Sequence, residues 1–162
     1  MTEHLLTLAT TLGQTCKTNK LMLTTAESCT GGLIAELITA IAGSAVWFER
    51  GFVTYSNIAK QEMLGVQKIT LEQQGAVSEQ TAIEMATGAL KHSHAQLSVA
   101  VTGIAGPDGG SAEKPVGTVW FAWASSQGNC LAQSRHFSGD RNSIRRQATE
   151  FALNGLIKLA TG

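Results

Sequence analysis

Charge of either sign is scarce here, and neither sign dominates: 12 Lys and Arg stand against 12 Asp and Glu in 162 residues, with a pI near 6.9. Such a chain has no overall positive field to hold a nucleic-acid backbone, so no nucleic-acid partner is expected. Long apolar runs are also missing. No stretch approaches the ~18 residues that a membrane-spanning helix needs, so no membrane partner is expected. The first residues lack a basic segment, and Glu3 and His4 interrupt the apolar core that a secretory signal requires. A soluble, cytoplasmic protein is the expectation. Cysteine is limited to Cys16, Cys29 and Cys130, odd in number and without C-x-x-C spacing, which argues against a disulfide framework or a structural zinc site. Free thiols are expected, and no metal.

Glycine, by contrast, is in excess: 17 residues where the average frequency gives about 11. Many fall in two places, Gly31-Gly32 and the 103–110 loop, each just after an apolar run. With 43% hydrophobic residues the chain can build one core, and residues 1–162 are expected to form one domain.

The apolar periodicity alternates between helix and strand. Leu5, Leu8, Leu12 and Cys16 predict an amphipathic helix over 4–18, followed by a strand over 21–25. Residues 30–42 repeat at helical spacing up to Gly43. Residues 45–55 are aromatic and β-branched around Gly51, predicting a strand or bent hairpin. Ser56-Asn57 offers an N-cap for a short helix stopped by Gly65, and Ser78 caps a helix ending near His92. Strands over 97–101, 116–124 and 130–137 follow, the last two joined as a hairpin. A final helix runs over 141–159 with Asp140 as its cap. Helices before, between and after the strands predict an α/β fold, a three-layer α/β/α sandwich with a mixed sheet.

Ligands in open α/β sheets sit beyond the carboxyl ends of the strands, and glycine there lets backbone N–H groups approach them. The stretch Thr24 to Gly32, TTAESCTGG, places Ser28 at such a strand-to-helix turn. The amides of Thr30, Gly31 and Gly32 behind it could hold an anion, either phosphate or an oxyanion. The plain alternative is that Ser28 or Thr30 only caps the helix, although no Glu or Gln three residues later completes a capping box. A serine nucleophile needs a base. None of His4, His92, His94 and His136 is compelling. Lys60, in the first turn of the helix after Tyr55, could serve if burial made its amine neutral, and a solvated surface lysine is the alternative. Arg141 and Arg145 share a helix face that suits a phosphate, and ordinary surface solvation would also account for them.

The segments AESCTGG, GFVTYSNIAKQEMLGV, GAVSEQTAIEMATGAL, TGIAGPDGGSAEKPVGTVWFA and FSGDRNSIRRQAT occur in this order. Together they resemble the nicotinamide-nucleotide amidohydrolase family, the deamidase domain found at the C-terminus of the competence/damage-inducible protein CinA and as a stand-alone bacterial enzyme. With Met1 just ahead of the first helix, the stand-alone form is the expectation. The resemblance implies hydrolysis of nicotinamide mononucleotide (NMN) to nicotinate mononucleotide and ammonia in pyridine nucleotide salvage, without cofactor. It implies Ser28 as nucleophile, Lys60 as base and Tyr55 as an assisting hydroxyl. Thr30, Gly31, Gly32, Thr102, Gly103, Gly106 and Arg145 are the expected substrate contacts, with Arg145 and the 102–110 loop on the phosphate. A homo-oligomer is expected. Two rivals remain: a cysteine amidase using Cys29, and a non-catalytic nucleotide-binding module.

Overall fold

The computed structural model describes residues 2–162. Helix α1 (Glu3–Thr18) starts at Thr2, whose hydroxyl accepts from Leu5 N, and leads to strand β1 (Leu23–Glu27). Then come α2 (Leu33–Thr39), a 3-10 turn (Ser44–Val46), β2 (Phe48–Val53), α3 (Asn57–Leu64), α4 (Lys68–Gln74) and α5 (Glu79–Lys91). Strands β3 (Leu97–Gly103), β4 (Thr118–Ser125) and β5 (Cys130–His136) precede the long α6 (Arg141–Thr161).

The five strands make one mixed sheet in the order β2-β1-β3-β4-β5. β2, β1 and β3 run parallel, while β4 and β5 are antiparallel. The sheet separates two apolar cores. On one face Leu23, Val99, Val101, Val119, Phe121 and Trp123 pack against α1, α2 and α6. On the other the strands turn Ala26, Ala100, Ala122 and Ala124 toward α5, whose Ala82, Ala86 and Ala89 answer them. Small residues on both sides let helix and sheet approach closely, and Ser98 bridges the gap by donating to the Ala86 carbonyl at 2.8 Å. This is the three-layer α/β/α sandwich with a mixed sheet that the alternation predicts.

Several local expectations changed. Of the strand and the bent hairpin read for 45–55, the strand forms, shortened to β2 and paired with β1, and Gly51 is needed because a Cβ there would lie 2.8 Å from Thr25 Oγ1. The helix expected over 30–42 begins later, at Leu33, and ends at Thr39. Helix α4 was not foreseen, since its first turn has no side-chain cap to announce it. Ser56, Ser78 and Asp140 do cap α3, α5 and α6, and Gly65 ends α3 in the left-handed region at φ 72°.

The parallel strands set the site. β1 lies in the middle of them, and the chain leaves it for β2 on one side while β3 later joins on the other. Glu27 is in register with Val53 and with Val101, so the residues just beyond all three strands come level at a topological switch point. No described helix is long and apolar enough to cross a membrane.

Candidate active site

Beyond those strand ends lies a cavity of about 240 Å³ lined by Ser28, Cys29, Tyr55, Asn57, Lys60, Ala76, Val77, Thr102, Gly103, Ala105 and Arg141. A larger hollow of about 430 Å³ lies between β5 and α6, but Lys158 is the only ionisable side chain among its lining residues and it holds no nucleophile. The chemistry therefore points to the smaller one.

Ser28 follows β1 directly and is held by its amide, which donates to the Val101 carbonyl at 2.9 Å. Lys60 enters from the first turn of α3 and is 1% exposed. Its Nζ lies 3.0 Å from Ser28 Oγ and donates to the carbonyls of Thr54 and Tyr55 at 3.0 and 3.1 Å. Burial without a facing carboxylate holds this amine below the usual lysine range. Lys60 is thus a buried lysine and not a solvated one.

Ser28 is not the cap of α2, nor is Thr30. The cap is Glu27, fully buried, whose Oε1 accepts from Thr30 Oγ1 (2.7 Å), Gly32 N (3.2 Å) and Ile34 N (3.0 Å) while Oε2 accepts from Ala35 N (3.0 Å). A carboxylate on the positive end of the helix both bonds the free amides and offsets their partial charge. It also changes the expected anion site. The Gly32 amide belongs to Glu27, and the Gly31 amide donates to the Ser28 carbonyl at 3.0 Å. Thr30 is fully buried. None of these three lines the cavity, and their glycines serve the turn instead, at φ 59° and 106°.

Tyr55 contributes through two different atoms. Its carbonyl accepts from Lys60, whereas its hydroxyl accepts from Arg141 Nη2 at 3.3 Å and makes no hydrogen bond to Ser28 or Lys60. Thr102 and Gly103 line the wall, with the Thr102 hydroxyl donating to the Ala76 carbonyl at 2.8 Å. Gly106 stays outside the lining and anchors Arg141, whose Nη1 donates to its carbonyl at 2.8 Å. Arg145 is also outside: its Nε and Nη2 donate to the carbonyls of Cys29 (3.1 Å) and Thr30 (2.9 Å). Of the two arginines on that helix face, Arg141 reaches the cavity and Arg145 grips the turn after Ser28. Asn57, Ala76 and Val77 were not singled out in advance, and neither was Glu27. A glutamate ending an apolar strand next to a candidate nucleophile was the one available signal.

Two alternatives weaken on this geometry. Burial pushes the Cys29 thiol up to about 12, so the reactive thiolate is scarce near neutrality. Histidines lie elsewhere, His4 on Glu150, His92 on the Gly88 carbonyl and His136 on the Val116 carbonyl.

Fold and cavity together define the class: a three-layer α/β protein with its pocket at the carboxyl ends of parallel strands. The CinA C-terminal domain family matches residues 5–160, and the chain belongs to that family. It is 58% identical over 154 residues to the nicotinamide-nucleotide amidohydrolase PncC of Escherichia coli (strain K12), covering 95% of this chain and 93% of that one. The PncC of Pseudomonas putida is 50% identical over 159 residues, with 98% and 99% covered. Among solved structures, the competence/damage inducible protein CihA from Agrobacterium tumefaciens superposes with a TM-score of 0.96 at 51% identity, covering 98% of this chain and 97% of that one.

Proposed function

We propose that the chain hydrolyses the carboxamide of NMN to nicotinate mononucleotide and ammonia, a salvage step for pyridine nucleotides, with Ser28 as nucleophile and Lys60 as base. The observation that carries this reading is the 3.0 Å contact between the Ser28 hydroxyl and a buried amine. A neutral amine has two hydrogens and one lone pair. The Thr54 and Tyr55 carbonyls take the two hydrogens, which leaves the lone pair facing Ser28. Ser28 Oγ then attacks the amide carbon as its proton passes to Lys60, and the resulting ammonium returns that proton to the amide nitrogen, which leaves as ammonia when the C–N bond breaks. Water cleaves the acyl-enzyme with Lys60 again taking the proton.

Tyr55 works here through its carbonyl, which orients the amine, and its hydroxyl belongs with Arg141 at the substrate's polar end. Arg141 replaces Arg145 as the phosphate ligand. Its guanidinium lines the cavity, makes no ion pair among the described residues, and rests on two neutral oxygens that a phosphate outcompetes. The relatives named nicotinamide-nucleotide amidohydrolase support this substrate.

Ammonia release from NMN by the purified chain tests the reading. Ser28→Ala is expected to abolish release, while Cys29→Ala keeps it. A flat trace from the parent chain alongside tight NMN binding would favour the binding module.

A further inference from the structure

We infer that Arg145 is a positioning residue for catalysis: by gripping two successive carbonyls of the turn after Ser28, it holds the Cys29 amide as the oxyanion donor. The inference rests on Ser28 being the nucleophile.

The turn contains three peptide planes, and three contacts fix them, one each. The Gly31 amide donates to the Ser28 carbonyl at 3.0 Å, which closes the turn and sets the plane between residues 28 and 29. Arg145 Nε on the Cys29 carbonyl sets the next plane, and Nη2 on the Thr30 carbonyl sets the third. In a trans peptide the N–H points opposite to the C=O. With the Ser28 carbonyl turned into the turn, the Cys29 N–H faces outward from it. That amide makes no hydrogen bond to another described residue, and Cys29 lines the cavity beside Ser28. The Gly31 and Gly32 amides are already engaged and Thr30 lies outside the cavity lining, so Cys29 supplies the donor nearest the nucleophile.

Arg145 itself lacks a stabilising reason to sit there. It is half-buried, pairs with no carboxylate among the described residues and spends its donors on main-chain oxygens. Removing such a cation from water costs energy that two neutral acceptors offset only in part. Precise placement of the turn is the return, because an oxyanion donor acts only within a few tenths of an ångström of its mark.

The test needs no natural substrate. Phenylmethanesulfonyl fluoride reacts with an activated serine: the Ser28 O–S bond forms, the S–F bond breaks, fluoride leaves, and the serine proton passes to Lys60. Negative charge builds on a sulfonyl oxygen and calls on the same donor. Labelling rates at Ser28, read by intact mass, are compared for the parent, Arg145→Ala, Arg145→Lys and the exposed control Arg146→Ala, and kcat and KM for NMN are measured beside them. Arg145→Ala is expected to slow labelling and kcat together by about 10²-fold with KM within about twofold, and Arg145→Lys, which keeps one donor, to fall between. Added methylguanidinium should restore part of both rates in Arg145→Ala, which separates a missing contact from a misfolded chain. Labelling of Arg145→Ala at the parent rate would overturn the inference, as would a raised KM at unchanged kcat. A parent chain that takes no label would remove Ser28 as nucleophile, and this inference with it.

Discussion

Replacing Lys60 by methionine removes the amine while keeping the length and most of the volume of the side chain. The perturbation separates stability from catalysis. Lys60 is 1% exposed, and burial lowers its pKa in the fold relative to the unfolded chain. Unfolding therefore takes up a proton in the window between the two values. Below that window the fold carries the whole penalty, about 1.4 kcal/mol for each unit of depression, and the penalty fades as pH rises toward the ordinary value near ~10.4. Methionine carries no such penalty. Against this, the Thr54 and Tyr55 carbonyls lose their donor, at about 1 kcal/mol each. Near pH 7 these terms oppose each other, so Lys60→Met is expected to stay within about 2 kcal/mol of the parent. Between pH 7 and 10.5 the parent should gain stability relative to the variant. Ammonia release should meanwhile fall by about 10²–10⁴-fold wherever the parent amine is neutral, and by less at lower pH, where the parent amine is protonated too. Urea unfolding at several pH values, with the activity assay beside it, reads all three. A stability difference that does not change with pH would refute the reasoning, because it would mean that the folded amine titrates like any surface lysine.

Gly88→Ala strikes the same pair from a distance: the added Cβ would lie 1.9 Å from the Leu64 carbonyl oxygen, so α3 must move off α5. A loss of about 1–3 kcal/mol in urea unfolding is expected, with a lower kcat because α3 carries Lys60. Arg141→Ala should raise KM for NMN by about tenfold or more and change kcat less, and Arg141→Lys should recover part of the loss, since a point charge replaces a two-pronged donor.

Much of this was readable in the sequence where a single residue type controls its own neighbourhood. Ser56, Ser78 and Asp140 cap helices because a short side-chain oxygen reaches the amide three residues on, and Gly65 ends one because it tolerates a positive φ. What escaped depends on the third dimension. The cap of α2 comes from Glu27, a strand residue, so no pattern within 30–42 could announce the late start of that helix. Gly51 punctuates a pattern that also fits a hairpin, and only the approach of Thr25 shows why the glycine is there. Arg141 and Arg145 share a face and a charge, and their different fates follow from which strand end each one meets. Ser28 and Lys60 were singled out at two strand ends and given roles only by the family resemblance, since a helix cap and a solvated lysine also fitted their patterns. Each stands just past a strand that the sheet holds parallel, and that register brings them together.

The central claim is that a neutral buried amine faces the Ser28 hydroxyl. Its most direct measurement is an NMR titration of lysine side chains labelled at Nζ, with the Lys60 signal assigned by its absence from Lys60→Met. The account predicts one lysine that loses its proton well below ~10.4 while the others titrate near that value. A Lys60 signal that titrates with the rest would contradict it.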